Sequence, residues 1–93
     1  MAVVLLTIEL HIPFAQSLKD KRMILRSVKD RAAKFNVSVA EVEHQELWQR
    51  ATLGVVAIAT DGAHAERELQ AVVNEIERHE PGVITRTELD HLA

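Results

Sequence analysis

The sequence predicts an α+β domain of ferredoxin-like βαββαβ order, with a four-stranded antiparallel sheet and two helices on one of its faces. Three observations predict it. Four short runs alternate apolar with polar residues or are rich in β-branched ones, two longer segments repeat apolar residues every three or four positions, and turn or capping residues mark the joins. The 93 residues suit one domain, 1–93, with a single modest core.

Residues 2–12 form the first strand. Val4, Leu6, Ile8, Leu10 and Ile12 share one side, and Val3, Leu5, Thr7, Glu9 and His11 share the other. Pro13 then forces an extended exit. Ser17, with Asp20 three residues on, has the capping pattern that opens a helix over about 18–35. In that helix Leu25, Val28, Ala32 and Phe35 make the buried stripe, and Asn36 suits a left-handed ending.

VSVAEVE (37–43) is a second strand whose alternation slips near Glu41, which predicts a bulge or an early end. HQELWQR (44–50) connects it to ATLGVVAIAT (51–60), a third strand apolar almost throughout. Asp61 caps a second helix, in which Ala65, Leu69, Val72 and Ile76 recur at four, three and four. Glu80, Pro81 and Gly82 end it. VITRTEL (83–89) is polar enough to lie at a sheet edge. Strands one and three take the centre.

Composition narrows the function classes. There is no cysteine, so disulfide and thiolate chemistry are out and a reducing, cytoplasmic home fits. MAVVLLTIELHI lacks a basic n-region and breaks at Glu9 and His11, too early for a membrane span. The net charge of −3 hides an uneven distribution. Lys19, Lys21, Arg22, Arg26, Lys29, Arg31 and Lys34 stand against Asp20 and Asp30, giving +5 over 17–35, so the remainder carries −8.

SLKDKR (17–22), FNVSVAEV (35–42), LWQRATLG (47–54) and TDGAH (60–64) occur together and in this order. The chain resembles the YlxP-like family along nearly its whole length. These are small bacterial proteins classed as a domain of unknown function. The resemblance implies a ferredoxin-like fold and carries over no reaction, ligand or catalytic residue. Genes of that family often neighbour those for ribosome-binding factor A and translation initiation factors, which implies RNA or ribosome work by association alone.

The basic helix is the first candidate site. At about 100° per residue, Lys19, Arg22, Arg26 and Lys29 fall within an arc of about 80°, one turn of about 5.4 Å apart, with no acid inside it. Such a row can follow successive phosphates. The plainer reading is a solvated helix face. Trp48, with Gln49 and Arg50, could stack on a base and hold its backbone; plugging the end of the core is the preferred role for the indole.

Other chemistry finds no foothold. His11, His44, His64, His79 and His91 lie one to an element without a shared metal-binding spacing, so no metal or cofactor is expected. Neither a G-x-S-x-G nor a glycine-rich phosphate loop occurs, and Glu66, Glu68, Glu75 and Glu77 lie mostly on the wet side of their helix. An RNA-recognition motif needs aromatic residues on its central strands, and 2–12 and 51–60 have none.

The sheet face away from the helices keeps large aliphatics whichever phase strand three adopts. Val3, Leu5, Val56 and Ile58 are therefore candidates for a homo-oligomer interface. The expected function is a non-enzymatic, cytoplasmic binding module that engages RNA or a ribosomal surface. The alternative is a self-associating structural protein that binds an acidic protein partner.

Overall fold

A computed structural model describes all residues 1–93. Its elements are β1 (Ala2–His11), α1 (Leu18–Ala32), β2 (Val37–Glu43), β3 (Arg50–Ala59), α2 (Gly62–His79) and β4 (Ile84–His91). The sheet order is β2-β3-β1-β4, all pairs antiparallel. This is the predicted architecture, with β1 and β3 central and β4 at an edge.

The alternation in β1 decides which side is covered. Val4, Leu6, Ile8 and Leu10 are buried, while Val3, Leu5, Thr7 and Glu9 are only partly so. The register carries this division into β3, where Val3 faces Ile58 and Leu5 faces Val56. Ala51, Leu53, Val55 and Ala57 thus turn inward to the helices. Leu25, Val28 and Ala32 from α1 and Ala65, Leu69, Val72 and Ile76 from α2 complete the core.

Both helices begin as their sequences predict. The Ser17 Oγ accepts from the Asp20 N–H at 3.1 Å, and the Asp20 carboxylate accepts from the Gln16 N–H at 3.0 Å. The Asp61 carboxylate accepts from the His64 N–H at 2.8 Å. These bonds satisfy N–H groups that have no carbonyl partner within the helix.

The end of α1 departs from expectation. It stops at Ala32, where the Lys34 N–H bonds to the Arg31 carbonyl and the Phe35 N–H to the Ala32 carbonyl in tight four-residue turns. Phe35 therefore reaches the core from a turn and is only partly buried. Asn36 does not take the left-handed conformation; His44 (φ 65°) and Gly82 (φ 81°) do. Gly82 serves the reversal from α2 into β4, a backbone shape that suits a residue without Cβ. The predicted slip in β2 is present, as a register shift between Glu41 and Glu43.

Unlike the solvated position that its helix spacing suggests, Glu75 is only 6% exposed. Its oxygens meet Lys34 Nζ at 3.1 Å, His79 Nε2 at 3.4 Å and the Arg78 guanidinium. The Lys34 hydrogen bond, reinforced by the charges of Lys34, His79 and Arg78, outweighs burial and holds the carboxyl below its ordinary 4.5. A lowered carboxylate stabilises the fold above its unfolded-state pKa, and that contribution disappears as pH falls through the folded one. Glu75→Gln should thus melt below the parent at pH 7, with the gap closing as the pH drops below 4.5. A gap that stays constant from pH 7 to pH 3 would contradict this.

Candidate nucleic-acid interface

The spacing that builds the apolar stripe of α1 also throws its cations outward. Lys19, Arg22 and Arg26 are exposed and Lys29 is partly so. None of the four takes part in an ion pair. Two acids do approach the row. Asp30 and Glu41 line a crevice of about 310 Å³ with Arg22, Leu25, Arg26 and Lys29. Glu41 arrives from β2, across the chain, which spacing along α1 could not reveal. Its Oε2 is already engaged by Lys21 Nζ at 2.9 Å.

Lys21 is the residue that sequence reasoning missed. Although it falls within the basic run of 17–35, only 1% of it is exposed. The signal was present: 21, 25, 28 and 32 continue the four-three-four spacing of the buried stripe. Its ammonium ion is satisfied by Glu41 and by the carbonyl of His44, the non-glycine residue with positive φ. The same carbonyl accepts from the Leu47 N–H at 3.1 Å. Lys21 thereby anchors the turn that opens the β2–β3 connection.

Gln49 anchors its other end. The amide Nε2 donates to the carbonyls of Pro13 (3.0 Å) and Ala15 (3.2 Å), and the Ile12 N–H donates to the Gln49 carbonyl at 2.8 Å. The Gln49 amide group is thus spent on the fold, and only its oxygen is left for a ligand. Between the two anchors Leu47 and Trp48 project into water. Trp48 is 52% exposed, so the preferred reading of it as a core plug fails. The core end that it would have closed is filled instead by Ile12, Ala15 and Leu10, all buried.

Arg50 opens β3 opposite His11 of β1. Its guanidinium lies 3.9 Å from Glu9. Trp48, His11, Glu46, Leu47, Gln49 and Arg50 surround a crevice of about 520 Å³. A second one of about 360 Å³ shares His11 and Arg50 with it and adds Glu9 from β1 and Thr85 and Arg86 from β4. Because β1 leads directly into α1, the start of the basic row lies at this same end of the sheet.

Val3, Leu5, Val56 and Ile58 come together at the opposite end of the open face, and Ile58 is 60% exposed. The face therefore has a mainly apolar half, bordered by Asp90 of β4 beside Leu5, and a charged half. The histidines are dispersed: His79 meets Glu75, and His91 meets Glu66 at 2.9 Å. No helix is long and apolar enough to cross a membrane.

A family described as "Protein of unknown function (DUF503)" matches residues 3–89. The chain belongs to the DUF503 family. It is 42% identical to "Uncharacterized protein YlxP" of Bacillus subtilis (strain 168), with 80% of this chain and 84% of that protein covered. The expected family resemblance is therefore shown, and with it a family of unknown function. Among solved structures, the chain is similar to a de novo designed protein with a ferredoxin fold, determined in solution by NMR. The TM-score is 0.60, at 13% identity, covering all of this chain and 87% of the other. That likeness concerns fold alone.

Proposed function

We propose that this DUF503 member is a non-enzymatic module that binds RNA, free or on a ribosomal surface, through α1 and the 44–50 connection. The observation that carries the reading is the row of Lys19, Arg22 and Arg26, exposed, one turn apart and without an ion-pair partner. Cations that have no internal partner keep their full charge for a polyanion.

The test is a salt titration of RNA binding, read by fluorescence anisotropy. Neutralising up to about four phosphates gives a log–log slope of roughly −3 on single strands. Arg22→Glu combined with Arg26→Glu should weaken binding more than about tenfold, because attraction becomes repulsion at two positions. Both side chains are exposed, so the melting temperature should hold. A folded double variant that binds RNA and ribosomal particles like the parent would reduce the row to a solvated face.

A second reading is favoured by the apolar half of the open face, where Ile58 is exposed beside Val3, Leu5 and Val56. A second copy of the chain would cover these side chains. Sedimentation at micromolar concentration should then show a species heavier than 10.4 kDa, and Ile58→Lys should return it to monomer. Parent protein that sediments as a monomer would end this reading and leave the RNA reading intact.

A further inference from the structure

We infer that the paired crevices at the β1–β3–β4 end of the sheet take one unpaired nucleotide of a single-stranded RNA, its base on Trp48 and its phosphate between Arg50 and Arg86. The inference rests on the RNA reading above and names the form of RNA bound. It also adds Arg86, which lies far along the chain from the basic helix and from Trp48.

The indole comes first. An aromatic ring left to itself would fold onto apolar surface, and here it is held away from the core from both sides. Lys21 and the Leu47 N–H secure the His44 carbonyl on one flank, and Gln49 grips Pro13 and Ala15 on the other. A braced, half-exposed ring beside a crevice of about 520 Å³ is a stacking platform with room for a base.

Charge then sets the polarity of the occupant. Glu46 lies on the Trp48 side, where it repels a phosphate but can accept hydrogen bonds from the N–H groups of a base edge. Arg50 and Arg86 lie on the adjoining side with Thr85 and with Glu9, whose single carboxylate leaves the two guanidiniums in net positive excess there. Their acidic partners, Glu9 and Glu88, stand off at 3.9 and 3.8 Å, so neither guanidinium is locked in a close fork. A phosphate is the stronger partner for such groups. Base on one side and phosphate on the other describes a nucleotide.

The strand must be single because the base has to leave its stack to reach the indole. In an A-form duplex the bases remain stacked and paired, and only backbone and groove are offered. The Gln49 clasp fastens the loop to the segment that precedes α1, so a longer strand that continues from the crevice around this end of the sheet would be directed toward Lys19 and Arg22.

Trp48 is the only tryptophan in the chain, so intrinsic emission reports on this crevice alone. The experiment titrates the full chain with adenosine monophosphate, a labelled single-stranded RNA 12-mer and its duplex, recording emission and anisotropy together. The monophosphate and the single strand should both quench Trp48, and the duplex should bind at least about tenfold more weakly. Trp48→Ala should cost the single strand roughly 5- to 150-fold in affinity, the range for a stacked base. Arg50→Glu with Arg86→Glu should abolish quenching by the monophosphate; circular dichroism confirms that this variant is folded. A bound single strand that leaves emission unchanged overturns the crevice assignment while the basic row stands. Absence of any strand binding overturns both. Equal affinity for polyglutamate of matched charge would also overturn it, in favour of an acidic protein.

Discussion

Lys21→Ala is expected to lower the unfolding free energy by about 3 kcal/mol, the lower end of the range for breaking a buried ion pair from one side. The ammonium ion is enclosed, whereas the Glu41 side chain keeps 17% of its surface, so water can partly repair the loss. The Glu41 carboxylate loses its ion-pair partner, and the His44 carbonyl is left with the Leu47 N–H alone. The pair itself is not what the fold requires. Lys21→Met with Glu41→Leu should recover most of the lost stability, because apolar side chains of similar volume replace buried ions at little or no cost. Urea unfolding of the parent and the two variants decides it. If the single variant loses less than about 1 kcal/mol, Lys21 is a bystander.

Ile8→Ala should cost about 2–5 kcal/mol, through lost burial and the cavity left behind. Ile8 is fully enclosed on the central strand, between Leu53 of β3 and Thr87 of β4. Neither neighbouring strand can move in to fill the gap without giving up its register with β1. Thr7→Ala, one residue away on the open face, is the control and should shift stability by less than about 0.5 kcal/mol. Comparable losses at both positions would mean that the two faces of β1 are not distinguished as described.

The order of elements was legible because each signal is local: alternation in β1, Ser17 and Asp61 at helix starts, and the Pro81–Gly82 stop. The slip in β2 was legible for the same reason, since an extra residue disturbs alternation where it occurs. The phase of β3 was not. With apolar residues on both sides, hydrophobicity would place bulky Ile58 inside and small Ala57 outside, and pairing with β1 does the reverse. Trp48 went astray because an indole that is braced outward and one that plugs a core have the same local sequence. Lys21 was obscured by its charge, although its spacing was that of the core. Glu41 under the basic row, and Arg86 beside Arg50, depend on contacts that only the folded sheet creates.

Strand β1 is bonded on both sides, to β3 and to β4, and it is the first of the three to be synthesised. Leu6 pairs with Val55 and also with Leu89, and the Leu92 N–H reaches back to Val3 at 2.8 Å. While the chain is being made, VVLLTIEL therefore leaves the ribosome with no partner available. Its first partner follows only after α1 and β2, and its second only after α2. Helix α1 can form on its own residues, but the sheet cannot close until position 91 has emerged. Nascent chains halted short of β4 present an unpaired apolar strand edge, the kind of surface on which chains aggregate or chaperones act.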